Sequence, residues 1–265
     1  MNASPLDSIR LGRSRVSVGT QAQVTGAIQG LVAESAPALV VTPNIHHVAL
    51  TSEDDAFRAA YASANLWAAD GWPVAAAASI AARTKVDRTA GSDLVEALSD
   101  WAARERVPIA ILGGAPGAAA LAAEQLTSRY VGLEVRLVRE LPLINNPPSR
   151  EDVTLVLDAI ERDCPRLIFL GLGAPKQEIF GAMLVAQGLT KGVVVCVGAG
   201  INFSAGLQSR AHPLLRRTGM EWLHRLLQEP SRLAPRYARA LVVFMQVVAS
   251  AIISSLRRHP DGRGL

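Results

Sequence analysis

Arg166-Leu-Ile-Phe-Leu-Gly-Leu-Gly-Ala-Pro-Lys-Gln-Glu178 reads as a strand, a glycine turn and a helix start. The β-type run Leu167 to Leu170 stops at Gly171 and Gly173, and Pro175 fixes the start of a helix whose first turn holds Lys176, Gln177 and Glu178. Such a joint can bind an anion, because free backbone N–H groups and the helix dipole point at one place. Most strand–glycine–helix joints merely turn the chain, and the polar Pro-Lys-Gln-Glu run is what favours a ligand site here.

Outward from this joint the pattern repeats. Buried strands are expected at Ala38–Thr42, Val74–Ala78, Pro108–Leu112, Leu133–Val138, Leu167–Leu170 and Val193–Val197. Helices are expected near 20–34, 54–67, 92–105, 116–129, 150–162 and 176–187. Alternation of this kind predicts βαβ units and a Rossmann-like α/β fold, a mainly parallel sheet with helices on both faces. The Asn145-Asn146-Pro147-Pro148 loop is the clearest punctuation within that domain.

In such a sheet ligands bind beyond the C-terminal strand ends. Those ends carry Thr42-Pro43-Asn44, Gly113-Gly114, Gly171-Leu172-Gly173 and Gly198-Ala199-Gly200. Each joint alone is ordinary turn chemistry, whereas all four together suit a phosphate-rich ligand that must approach the backbone closely. A nicotinamide-dependent oxidoreductase is disfavoured, since no Gly-x-Gly-x-x-Gly opens a helix after the first strand. No Walker loop and no Gly-x-Ser-x-Gly elbow is present either. His46 and His47 follow a strand, but no acidic or cysteine cluster joins them, so no metal site is expected.

Asp70 stands out among the acids, in Ala68-Ala69-Asp70-Gly71-Trp72-Pro73. An apolar setting raises a carboxyl toward a general-base range, and Gly71 lets a substrate come close. A helix-ending Asp-Gly turn is the alternative.

The bulk composition, 49% hydrophobic and 19% charged over 265 residues, is that of a globular protein. Charge is unevenly spread: residues 1–209 carry a net −3 and residues 210–265 a net +7. This divides the chain into a catalytic α/β domain, 1–209, and a basic helical C-terminal appendage, 210–265. A helix is expected over about 235–258, with Arg239, Gln246, Ser250 and Arg257 on one face. Its uncharged stretch Ala240 to Leu256 sits at the lower edge of a membrane span, and flanking arginines fit an in-plane amphipathic helix on an anionic membrane surface better. Packing against a second subunit in a homo-oligomer is the competing reading of that helix. Nucleic acid is disfavoured, because no run of aromatics interleaves with the arginines. Cys164 and Cys196 read as two buried thiols, and the absence of an apolar leader after Met1 predicts a cytoplasmic protein.

These segments together resemble the WecG/TagA/CpsF glycosyltransferase family. The resemblance rests on Thr42-Pro43-Asn44, Ala69-Asp70-Gly71, Gly91-Ser92-Asp93-Leu94, Gly113-Gly114 and Gly171 to Glu178. It continues through Ala205-Gly206, Arg210-Ala211, Gly219-Met-Glu-Trp-Leu-His-Arg225 and Glu229-Pro-Ser-Arg232. The resemblance implies an inverting transferase that moves a sugar from a UDP-sugar donor to a polyprenyl-diphosphate-linked acceptor at the inner face of the cell membrane, during surface-polysaccharide synthesis. It implies Asp70 as the general base. Thr42, Asn44, Gly71, Gly91, Asp93, Gly113, Gly114, Gly171, Gly173, Lys176, Gln177, Glu178 and Asn202 would line the donor pocket. Arg210, Arg225 and Arg232 would meet the diphosphate. No Asp-x-Asp is present to hold a cation, and arginines with helix N-termini can carry leaving-group charge instead, so neither metal nor cofactor is expected. Two departures stand out: Ile201-Asn202 replaces the family's usual Phe-Asp, which points to a different donor sugar, and His212 stands where a proline is usual. A catalytically silent nucleotide-sugar-binding partner of an assembly complex is the alternative function.

Overall fold

Apolar residues alternate between the two faces of a six-stranded sheet with strict period two. Val40, Ile111, Phe169 and Val195 join one core cluster, while Val41, Leu112, Leu170 and Cys196, one residue on, join the other. The computed structural model describes residues 5–141 and 148–208, together with residues 238, 241, 242, 244, 245, 248 and 249 of the tail. Its elements in chain order are β1 (Ser8–Leu11), β2 (Ser14–Ser17), α1 (Gln21–Glu34), β3 (Ala38–Val41), α2 (Ile45–Glu53), α3 (Asp55–Ala62), β4 (Leu66–Trp67), α4 (Trp72–Ala82) and α5 (Gly91–Glu105). They continue with β5 (Ile109–Gly113), α6 (Ala118–Arg129), β6 (Val135–Arg139), α7 (Arg150–Asp163), β7 (Leu167–Gly171), α8 (Lys176–Gln187), β8 (Val193–Cys196) and α9 (Gly200–Ser204).

The main sheet runs β4-β3-β8-β7-β5-β6 with every pair parallel, as a Rossmann-like α/β fold requires. Helices α1, α5, α6 and α9 cover one face, and α3, α7 and α8 the other. Gly181 lets α8 lie close, because a Cβ there would stand 2.8 Å from Leu39 Cδ1. A β1–β2 hairpin, outside the strands expected from the sequence, pairs antiparallel at one side. It packs with α4 in a third apolar cluster that includes Leu11, Val16, Val48, Val74 and Phe244.

Two expected elements need correction. Val74–Ala78 is not a strand but the middle of α4. Gly71 at the N-cap and Pro73 in the first turn start a helix there, and the alanines that follow are the best helix formers. The sheet strand of this region is β4, only two residues long and inside what reads as one helix over 54–67; that span is α3, a turn and β4. The stretch after Asn44 is helical as well, as α2. Cys196 is buried as expected, but Cys164 is exposed, because it occupies the left-handed C-cap of α7. The Asn145–Pro147 part of the loop lies outside the described residues, as do Arg210, Arg225, Arg232 and His212 of the appendage. The seven described tail residues are helical. Among the described residues no helix is long and apolar enough to cross a membrane.

Candidate active site

Neighbouring strands leave the top of the sheet in opposite directions. The chain leaves β3 and β7 toward the layer of α3 and α8, and leaves β5 and β8 toward the layer of α6 and α9. Divergent exits open a crevice above the strand ends, where α/β sheets bind their ligands. The sequence-predicted residues that are described stand at strand exits or helix starts, and Arg210, Arg225 and Arg232 lie outside the described residues.

At the β3 exit, Thr42 is buried and its hydroxyl donates to the Cys196 carbonyl at 2.8 Å, which ties β3 to β8. Asn44 caps α2, its Oδ1 accepting from the His46 amide at 3.0 Å. Next along, the Asp70 amide donates to the Pro43 carbonyl at 2.8 Å. Asp70 thus follows β4 rather than ending a helix, and it is half-buried behind the fully buried Ala68 and Ala69. Gly71 holds φ +94° as the chain swings into α4, a conformation that disfavours any side chain.

Several of the expected ligand-facing glycines are packing devices. A Cβ on Gly91 would stand 2.4 Å from the Val197 carbonyl oxygen, and one on Gly113 or Gly171 would meet a neighbouring backbone oxygen at 2.8 Å. These glycines bring α5 and the β5, β7 and β8 exits into backbone contact. Gly114 also donates to the Gly171 carbonyl at 2.7 Å. Gly173 differs, with φ +72° and open space where a Cβ would go. Asn202 turns its Oδ1 onto the Ala115 amide at 2.8 Å, so it links α9 to the β5–α6 turn. Asp93 pairs with Arg88 at 3.3 Å in the first turn of α5.

The three polar residues that begin α8 have different fates. Lys176, the first residue of α8, is half-exposed. Gln177 and Glu178 are buried, at 2% and 0% exposure. Gln177 accepts from the Gly198 amide at 3.0 Å and donates to Glu178 Oε1 at 2.7 Å. That same oxygen lies 3.1 Å from His47 Nε2. His47 Nδ1 in turn lies 3.0 Å from Asn44 Oδ1 and 3.3 Å from the Asn44 amide. From the sequence His47 is considered only as a metal ligand; its spacing three residues after the N-cap Asn44, that of a capping box, is the signal that could have found it. Burial, and then the Glu178 carboxylate, push the Cys196 thiol and the Tyr61 hydroxyl up. Among the described residues no group of three or more His, Cys, Asp or Glu could hold a metal ion.

Helix N-termini complete the electrostatics. Among the described residues no side chain caps α4, α5, α6 or α8, whereas Thr20, Asn44, Asp54 and Ser149 cap α1, α2, α3 and α7. The helices without a side-chain cap begin at the strand exits beside Asp70, Gly91, Gly114 and Gly173. Each carries roughly half a positive charge at its start. The β4 and β7 exits are three strand spacings apart, about 14 Å, so Asp70 and Lys176 mark two ends of an elongated crevice. Residues 9–258 match the model of the Glycosyl transferase WecG/TagA/CpsF family.

Proposed function

The chain belongs to the WecG/TagA/CpsF family of glycosyltransferases, whose members act in cell-surface polysaccharide synthesis with nucleotide-sugar donors and lipid-linked acceptors, and on that premise we propose an inverting, metal-independent transfer from a UDP-sugar to a polyprenyl-diphosphate-linked saccharide. The observation that carries this reading is Asp70: a half-buried carboxylate at a strand exit, its backbone bonded to Pro43, beside a helix N-terminus that no side chain among the described residues caps.

In this mechanism an acceptor hydroxyl attacks the anomeric carbon. Its proton passes to the Asp70 carboxylate, the new C–O bond forms, and the bond from the anomeric carbon to the diphosphate breaks with inversion. UDP departs with the electron pair. The starts of α4, α5 and α8 supply positive potential for that charge, and Lys176 adds a cation at the α8 end of the crevice. Arg210, Arg225 and Arg232 of the appendage would clamp the diphosphate, and Thr42 and Asn44 would hold the wall of the donor pocket through the bonds they make to β8 and α2.

The appendage would also seat the protein on the inner face of the membrane. Leu241, Val242 and Met245 are more than half exposed, while Phe244 packs into the cluster that holds α4. Trp72 and Ile80 of α4, the helix against which Phe244 packs, are exposed as well. Release of UDP from UDP-sugars by the full-length protein, with a polyprenyl-diphosphate acceptor and with or without EDTA, tests the reading. Acceptor-dependent release that survives EDTA is expected. Release abolished by EDTA and restored by a divalent cation would overturn metal independence.

A further inference from the structure

A buried polar chain crosses the crevice floor. It runs Asn44–His47–Glu178–Gln177–Gly198 and joins the exits of β3, β7 and β8 through contacts of 2.7 to 3.3 Å. Its centre, the His47–Glu178 pair, is 3% and 0% exposed, and the Phe57 ring packs against the imidazole with centroids 5.7 Å apart. Among the described residues Glu178 Oε2 has no hydrogen-bond partner.

Taking a carboxylate and an imidazole out of water is costly, and leaving a carboxylate oxygen unpartnered adds to the cost. Two apolar side chains of similar shape would fill the same space without it, so cohesion alone does not account for the pair. What apolar side chains could not do is fix hydrogen-bonding groups in position. His47 sits against both the side chain and the amide of Asn44, and Glu178 orients Gln177, whose other end holds the amide of Gly198. Each end of the chain is a strand exit on the donor side of the crevice.

We propose that His47 and Glu178 are positioning residues that touch no substrate. Through Asn44 and Gln177 they hold the β3 exit and the β8 glycine turn at the separation the nucleotide requires. This inference rests on the donor-site assignment above. It also divides the Pro-Lys-Gln-Glu run, with Lys176 alone reaching ligand, and Gln177 and Glu178 building the floor beneath it.

The test uses full-length protein, UDP binding by calorimetry, and steady-state kinetics with the donor that wild type accepts. Removing both partners, in His47→Leu/Glu178→Leu, leaves no uncompensated charge, so Tm is expected to hold within a few degrees. Donor KM and UDP Kd are expected to rise about 10- to 100-fold with kcat changed little, the split that marks lost ground-state positioning. Glu178→Gln keeps an acceptor oxygen for both neighbours and is expected to stay within about threefold of wild type. A purely structural pair would shift Tm and leave KM alone. Should the double variant not fold, His47→Asn/Glu178→Gln serves instead, since it buries no charge, keeps a polar group near the Asn44 amide and falls short of position 178. Unchanged KM and Kd in the folded variant overturn the positioning role alone. Wild-type protein that neither binds UDP nor turns over any UDP-sugar overturns the donor-site assignment, and this inference with it.

Discussion

The Asp70 amide donates to the Pro43 carbonyl at 2.8 Å, so the backbone of Asp70, just beyond the end of β4, is held against the exit of β3. That bond belongs to the backbone and survives any change of side chain. Asp70→Asn therefore keeps this backbone bond and takes away the basicity of the carboxylate. A loss of about 10²- to 10⁴-fold in kcat is expected, with UDP affinity unchanged. Turnover near the wild-type rate would take Asp70 out of the mechanism.

Gly91 lies under the crevice, where a Cβ would stand 2.4 Å from the Val197 carbonyl oxygen and 2.8 Å from its carbonyl carbon. Backbone atoms cannot swing aside as a side-chain tip can. Gly91→Ala should thus push α5 away from the β8 turn and destabilise the fold by about 3 kcal/mol, toward the upper end for overpacking. Gly26, on the exposed side of α1 with nothing within 4 Å of where a methyl group would stand, is the control: Gly26→Ala should be neutral or stabilising. Equal thermal midpoints for the two variants would refute the close-packing role of Gly91.

Asp87 gives a pH signature. Lys85, hydrogen-bonded at 2.8 Å, holds its carboxyl below the ordinary aspartate range against a smaller opposing effect of burial, and the Gln21 amide at 3.3 Å adds to the lowering. A lowered folded-state value means that the unfolded chain takes up the proton first as pH falls. The stabilisation is therefore full above about pH 4, the unfolded value, and is lost as pH drops through the lower folded value. Asp87→Asn should lower Tm by about 1–2 °C at pH 7 and by nothing measurable at pH 2–3. A difference that persists in acid would mean that shape, not charge, fixes this contact between α1 and the α4–α5 loop.

The sheet was legible in the sequence because β3, β5, β7 and β8 are buried on both faces and therefore read as unbroken apolar runs. The stretch from 54 to 82 misled for a physical reason. β4 is two residues long, too short to set a period, while Val74 to Ala78 imitates a buried strand until Gly71 and Pro73 are weighed as a helix start. The apolar setting of Asp70 was legible in the sequence, since Ala68 and Ala69 are both buried. The burial of Gln177 and Glu178 was not, since polar residues in a first helical turn ordinarily face solvent. Inside the fold Glu178 meets His47, 131 residues earlier in the chain, and Gln177 meets the Gly198 amide, and no local pattern carries those pairings.

The tail offers a way to separate folding from membrane attachment. Phe244 is 7% exposed and packs with α4 and the β1–β2 hairpin, whereas Leu241 and Met245, on the same short stretch, are 53% and 60% exposed. Deleting the whole tail would confound the two, because it would also uncover that cluster. Leu241→Asp/Met245→Asp changes only outward-facing groups, so Tm should be unchanged. Burying one such side chain in lipid is worth about 1.5–3 kcal/mol, so losing two should weaken binding to anionic vesicles about 100-fold or more. Phe244→Asp should instead lower Tm by placing a charge in the apolar cluster. Co-sedimentation of the Leu241/Met245 variant with anionic vesicles at the wild-type level would show that this face does not lie on lipid, and a change in its oligomeric state would assign the face to a second copy of the chain.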